Sequence, residues 1–384
     1  MTSFDTLFIQ PSLARYRIPL YRGLAGELPG RVTVVSGSDA SIDVPHEETF
    51  PFTTIRCSER ILGNHTLVFQ EIAEHVRKLE SGDVLVINGN PRYVNSLRAL
   101  ITAKRRGIAT VWWGHGWSAG SHGALSRVRR RLMHLSDVVL LFSDEEREAY
   151  INLGFDASRV FATNNALDDE SIRDAVRDWP ETRVNQFLST HGLRRGEYLV
   201  FVGRLTQKAG IEEIVQALGL LNRQGLPVPL IVIGDGIQKP ALMAQADALG
   251  VQLVMVGASF DEHVIAPWML GARAFVYGGA VGLSLIHAFH YGVPAIVHDD
   301  PWHHMPEVAA FRDAENGLSF ARNDVGSLTN SILKMFDLDD LGYDSLTNQV
   351  RATVQRRFTM QAMIARTQQA IHTAREVVGL ASGS

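Results

Sequence analysis

A single cysteine, Cys57, stands in a chain of 384 residues, so an intrachain disulfide and a zinc site built on two or more thiolates are both excluded. Neither sign of charge dominates: 37 Lys and Arg face 41 Asp and Glu, a formal net charge of −4. Neutralising duplex phosphates takes a clear cationic surplus, which argues against a nucleic-acid partner. No apolar run approaches the roughly 18 residues that cross a bilayer, and the best, DVVLLF, has the length of a strand. The opening MTSFDTLFIQ lacks the basic stretch and long apolar core of a secretory signal. A cytoplasmic location is therefore expected, with attachment to the inner membrane face left open. No GxGxxG follows an apolar run, and neither a P-loop nor HExxH is present, which weakens nicotinamide, NTPase and zinc-protease readings. Disorder and low complexity are excluded by 46% hydrophobic and 20% charged residues.

What is present is a repeated grammar. Short apolar runs at 6–9, 32–35, 84–87, 108–113 and 138–142 read as buried strands, and 198–203, 230–236, 251–257, 273–278 and 293–298 repeat the pattern. Continuous β-branched and aliphatic runs suit a parallel sheet covered on both faces. Helical spacing appears between them at 65–80, 94–107, 211–225 and 241–250, the second ending at Gly107. At roughly 150 residues per domain, two or three domains are expected. Strand–helix alternation predicts α/β architecture with two Rossmann-like, doubly wound domains facing a central cleft, joined at the polar seam 168–197. Ligands in such folds sit at the carboxyl ends of strands, so motifs there carry most weight.

Three motifs occupy such ends. GRLTQKAGIEEIVQAL (203–218) follows an apolar run and places Arg204 and Lys208 on a loop entering a helix. Free N–H groups and two cations there suit a diphosphate; a solvated basic loop is the plain alternative. YGGAVGLSLIHAFHYG (277–292) carries Gly278, Gly279 and Gly282 before a helix starting near Ser284, a turn that suits phosphate or mere packing. His287, His290, His298, His303 and His304 cluster there, near Asp299, Asp300 and Glu307, without a recognised metal spacing; polar or ligand-contacting histidines fit better than a metal site. WWGHGWSAGSHG (112–123) sets His115 between two glycines, either facing a cleft or capping its loop.

The order and wording of these blocks resemble family-4 retaining glycosyltransferases with the GT-B fold. The resemblance covers most of the chain: VVLLFSDEEREAYINLGFDASRVFATNNALD (138–168), FVGRLTQKAGIEEIVQAL, VIGDGIQKPAL, LVMVGASFDEHVIAPWMLGARAFVY and GLSLIHAFHYGVPAIV. FTMQAMIARTQQAI (358–371) is similar to the family's terminal helix, which crosses back to the N-terminal domain. The resemblance implies an acceptor-side domain over 1–170 joined by about 358–384, and a donor domain over 171–357 including a linker at 171–197. It implies a UDP- or GDP-linked sugar as donor, an oligosaccharide or lipid-linked acceptor, and no cofactor or metal. Arg204 and Lys208, after Gly203, would neutralise the leaving diphosphate, and the backbone around Gly282, Leu283 and Ser284 would cradle it. Val256 and Gly257 would line the base pocket. His115 matches a histidine facing the transferred sugar, and Glu307 matches the family's "PE" acid. The family's Glu-x7-Glu is replaced by Gly279 and His287, the first place normally contacting the sugar and the second the ribose. Near the N terminus a glycine-rich loop gives way to Arg15, Tyr16 and Arg17, which would lie on the acceptor side. SHGALSRVRRRLMHLS (121–136) reads as a basic amphipathic helix able to rest on anionic lipid, or as an ordinary solvated face. An active transferase is the leading reading. A non-catalytic GT-B partner or sugar-binding subunit and a nucleotide-sugar epimerase are the alternatives.

Overall fold

The computed structural model describes residues 3–37, 49–63, 67–116 and 124–382. The chain divides into two compact units, one of residues 1–167 with 360–384 and the other of 168–359.

Among the described residues, unit 1 runs β1 (Thr6–Gln10), α1 (Ile18–Glu27), β2 (Val32–Ser36), β3 (Thr53–Arg56), β4 (Glu59–Leu62), β5 (Leu67–Gln70) and α2 (Ala73–Arg77). It continues with β6 (Val84–Asn88), α3 (Val94–Arg105), β7 (Ala109–Trp113), α4 (Ala124–Met133), β8 (Val138–Leu141), α5 (Asp144–Asn152) and β9 (Val160–Ala162). Seven of these strands form a parallel sheet in the order β3-β2-β1-β6-β7-β8-β9. The apolar runs are continuous because both faces are covered: Val84 and Val86 enter one core with Phe8, while Leu85 and Ile87 enter another with Leu7 and Ile9. α3 stops as expected, with Gly107 at φ +67° bonding back to Lys104.

The helix expected over 65–80 does not form as one element. Residues 67–70 are the strand β5, antiparallel to β4, and helix begins only at Ala73. In β5, Val68 and Gln70 are buried while Leu67 is exposed, a period of two that an apolar count over 16 residues conceals.

Unit 2 comprises α6 (Asp169–Asp178), α7 (Glu181–Thr190), β10 (Leu199–Val202), α8 (Ile211–Arg223), β11 (Leu230–Ile233), α9 (Lys239–Leu249) and β12 (Leu253–Gly257). After these come α10 (Glu262–Gly271), β13 (Ala274–Val276), α11 (Leu283–His290), β14 (Ala295–His298), β15 (Gly317–Phe320), α12 (Val325–Asp337) and α13 (Asp340–Arg357). Its described strands form one parallel sheet, β12-β11-β10-β13-β14-β15. Numbered within the unit, that is the 3-2-1-4-5-6 order of a Rossmann domain, whose strand order reverses between β10 and β13. The polar seam is itself helical, because Ile172 and Ala175 of α6 and Val184 and Leu188 of α7 pack into the unit 2 core. The final helix, α14 (Met360–Ser382), packs on β7, β8 and β9 of unit 1. No helix among the described residues is long and apolar enough to cross a membrane.

Candidate functional site

In unit 2 the sequence motifs converge where the strand order reverses. The loop leaving β10 carries Gly203, Arg204 and Lys208, and both cations are exposed. A short 3-10 turn, Gln207–Ala209, leads to Gly210, which adopts the left-handed conformation (φ +65°) and opens α8. The turn leaving β13 is bonded to this loop backbone to backbone: Gly279 N donates to Ala209 O at 2.9 Å and Ala280 N to Lys208 O at 3.1 Å. Glycine is required on both sides. A Cβ at Gly278 would lie 2.0 Å from Gly210 O, and one at Gly279 would lie 2.1 Å from Lys208 O. Position 279 is therefore closed to any side chain. Tyr277 stacks on Phe201 at 5.0 Å, and burial pushes its phenol up against the opposing pull of nearby Arg204.

The same turn runs into α11, whose cap Gly282 offers no side chain to the first-turn N–H groups. Leu283 and Ser284 form that turn, both half-buried. Glu307 is buried on the 3-10 turn Pro306–Ala310, with Oε2 3.5 Å from the point a Cβ of Gly282 would occupy. The preceding residues hold the turn in place, since Met305 N donates to Val281 O and Val281 N donates to His304 Nδ1. His304 must then carry its proton on Nε2, which donates to His298 O at 2.9 Å. Val256 and Gly257 end the half-buried edge strand β12, where Gly257 (φ +89°) accepts from Gly234 N.

The histidines take separate partners rather than one centre. His298 and His304 stack at 3.6 Å, and burial drives the proton off His298, whose pKa falls to about 3. His303 bonds Asp300 and His290 bonds Phe358 O. His287 is buried, with Nε2 2.9 Å from Glu262 Oε2, and Tyr291 donates to the same oxygen at 2.7 Å. Burial works against the charged form of Glu262, but His287 and Tyr291 outweigh it and hold the carboxyl below its usual range. Sequence reading missed Glu262; its position at the start of the helix after β12 was the available signal. Among the described residues no group of three or more His, Cys, Asp or Glu is arranged to hold a metal ion.

In unit 1 the candidates also gather at strand ends. Arg15, Tyr16 and Arg17 form a single 3-10 turn between β1 and α1. Arg17 donates to Gln10 and lies 4.4 Å over the Trp113 ring. His115 follows β7, its ring edge-on to Phe142 at 4.6 Å. Burial first, then Arg129 and Arg17, pull its pKa down to about 4, so the imidazole is neutral at physiological pH. Gly114 lets this end pass close to Gly89, whose Cα lies 2.8 Å from where a Gly114 Cβ would sit. Residues 117–123 of the glycine-rich motif lie outside the described residues, as does the Leu125 side chain of the basic helix. On that helix Arg127, Val128 and Arg131 are exposed, whereas Met133 is buried against the sheet.

Residues 190–352 match the family model of glycosyl transferases group 1. Alpha-D-kanosaminyltransferase of Streptomyces kanamyceticus is 23% identical over 175 residues, 44% of each chain. Glycogen synthase of Halorhodospira halophila is 29% identical over 149 residues, 37% of this chain and 31% of that protein. The chain thus matches less than half the length of either curated relative. Among solved structures, HepE of Anabaena in complex with UDP superposes with a TM-score of 0.71 at 15% identity, over 96% of this chain and 100% of that one. The same protein has also been solved with UDP-glucose. The chain therefore has the GT-B type of fold, two Rossmann-like units, and over residues 190–352 it is similar to glycosyl transferases group 1.

Proposed function

We propose that the chain is a nucleotide-sugar-dependent glycosyltransferase of the family-4, retaining type, moving a sugar from a UDP- or GDP-linked donor to a polysaccharide or lipid-linked oligosaccharide. One observation carries the reading: Arg204 and Lys208 stand on a loop bonded to the glycine turn at the point where the unit 2 strand order reverses. Departure of a nucleoside diphosphate develops negative charge, and cations with preorganised N–H groups stabilise it. In this reading Arg204 and Lys208 take the diphosphate together with the N–H groups of Leu283 and Ser284, and no metal is needed. The base lies against Val256 and Gly257, and Glu307 accepts from the donor sugar. Neutral His115 both donates to and accepts from a sugar hydroxyl on the acceptor side, with Arg15, Tyr16 and Arg17. The exposed Arg127 and Arg131 flanking Val128 favour peripheral contact with anionic lipid. The UDP and UDP-glucose complexes of the Anabaena protein make those donors the first to try.

The test is a melting-temperature panel of nucleoside diphosphates and nucleotide sugars, followed by turnover with the donor that stabilises most. Arg204→Ala is expected to weaken diphosphate binding by about 1.5–3 kcal/mol, the scale of a charge-assisted hydrogen bond. Unchanged affinity in that variant removes the assignment. Tight nucleotide binding without transfer or epimerisation of any donor favours a non-catalytic sugar-nucleotide binder, a reading to which the side-chain-free position 279 lends weight.

A further inference from the structure

Arg17 is a guanidinium set into unit 1 with no carboxylate against it among the described residues. It closes the turn Arg15–Arg17 beside the place where the unit 1 strand order reverses, between β1 and β6. It donates to Gln10 Oε1, a neutral acceptor at the end of β1. Its other neighbours are the Tyr16 and Tyr21 hydroxyls and the faces of Trp113 and Phe142, at 4.4 and 5.7 Å. The Nε atom is sealed from solvent and has no hydrogen-bond partner among the described residues.

Three more donors at the ends of neighbouring strands are in the same condition among the described residues. Gln10 Nε2, Asn88 Nδ2 and Trp113 Nε1 are all buried and unpartnered. Asn88 and Trp113 are register partners across β6 and β7, and Gln10 ends the strand on the other side of β6. The carboxyl ends of three adjacent strands thus carry unpartnered N–H donors at the sheet end where Arg17 lies. Burying donors and a charge without partners is costly, and a bound ligand, ion or water is what completes such groups. His115 shares the Phe142 ring with Arg17 and is held neutral partly by that cation. The purely structural alternative is that Arg17 braces Trp113 by its stacked contact alone.

We infer that unit 1 contains an oxyanion subsite built by Arg17 and Gln10 with the Asn88 and Trp113 donors, taking a phosphate monoester or a carboxylate. Only an anion rich in acceptor oxygens satisfies both the charge and the surplus of N–H groups. Resting on the transferase reading, the anion is the acceptor's own charge, so the acceptor is an acidic or phosphorylated saccharide rather than a neutral one.

The experiment uses the full chain without donor, titrated with glucose 6-phosphate, glucuronate, inorganic phosphate and neutral glucose at constant ionic strength. Tryptophan fluorescence and melting temperature are the readouts. Saturable binding of at least one oxyanion, and none of glucose, is expected; phosphate monoester against uronate tells which group the acceptor carries. Arg17→Met should cut that affinity at least tenfold and raise the melting temperature of the unliganded chain, because an uncompensated charge is removed. Gln10→Glu sets a carboxylate against Arg17 and should also cut affinity at least tenfold in a stably folded protein. Arg204→Ala should leave it unchanged. No saturable oxyanion binding to the wild type, or wild-type affinity in Gln10→Glu, overturns the subsite. Oxyanion binding in a chain that binds no nucleoside diphosphate leaves the subsite standing and removes the transferase reading. In turnover assays, an acidic acceptor should outperform its neutral counterpart, and Gln10→Glu should abolish the difference; equal use of both by the wild type overturns the assignment of the anion to the acceptor.

Discussion

His287 is a buried imidazole whose partner is a carboxylate on another helix. The family to which the sequence bears resemblance puts a glutamate there. Here an imidazole fills the place, and the carboxylate comes from Glu262, 2.9 Å away on the helix following β12. Tyr291 supplies a second donor to the same carboxylate, one helical turn beyond His287. His287→Glu would press two carboxylates together in a buried setting, whereas His287→Gln keeps a donor to Glu262. The expected order of melting temperature is wild type, then Gln, then Glu, with a loss of about 1–3 kcal/mol for Gln. A His287→Glu variant as stable as His287→Gln contradicts the pairing. The pH dependence has a definite sign. The Glu262 pKa is depressed in the folded chain. Its contribution is then present above the ordinary carboxylate range and is lost as pH falls through the depressed folded value. The stability gap between wild type and Glu262→Gln should accordingly be full at neutral pH and shrink in acid. A gap that widens in acid reverses the assignment of cause.

Two loops made of little but backbone hold the unit 2 site. The loop after β10 and the turn after β13 approach so closely that Gly210, Gly278 and Gly279 each face the other segment's main chain within 2.5 Å of an added Cβ. Overpacking of this kind costs about 1–3 kcal/mol, and at Gly210 the left-handed backbone adds about 1–2 kcal/mol. Gly225 supplies the control, with φ +78° and open space where its Cβ would stand. Gly210→Ala should therefore destabilise more than Gly225→Ala and, unlike it, weaken nucleotide binding. Equal losses in denaturant melts would mean that the loops part easily and do not fix Arg204 and Lys208. Sequence reading found this pair of loops because glycines and cations at strand ends leave a local signature. The elements it missed leave none. The strands β3 and β4 are mostly exposed and carry mixed polar residues, and β9 is only three residues long. For α6 and α7, polar composition masked the Ile172, Ala175, Val184 and Leu188 stripe that buries them. Glu262 was hidden differently: the helix start after β12 marked its place, but its pairing with His287, 25 positions away, comes only from tertiary contact.

At the scale of the molecule, the chain leaves unit 1 at residue 167, completes unit 2, and returns to unit 1 for its last helix. That helix is part of the unit 1 core. Met363, Ala370, Ile371 and Ala374 are buried with Phe8, Trp113 and Leu140, and Gly23 on α1 leaves room for Ile364. Polar contacts fix its register: Ala166 N reaches Met363 Sδ at 3.4 Å, and Arg375 donates to Gly82 O at 2.9 Å with its guanidinium 3.8 Å over the Phe4 ring. Fully burying a side chain such as Met363 or Ile371 is worth about 1.5–3 kcal/mol, and several are lost together when the helix is removed. Total domain stability is only about 5–15 kcal/mol. A chain ending at residue 359 should therefore fail to hold unit 1 while unit 2, whose described elements all lie within 168–359, keeps its fold. A gentler form is Ile371→Ala, expected to cost about 2–5 kcal/mol in unit 1 alone. Residue-resolved hydrogen exchange separates the outcomes, because loss of protection should appear in β1, β2 and β6–β9 and spare β10–β15. Protection lost equally in both sheets, or in neither, would show that the terminal helix does not belong energetically to the unit on which it packs.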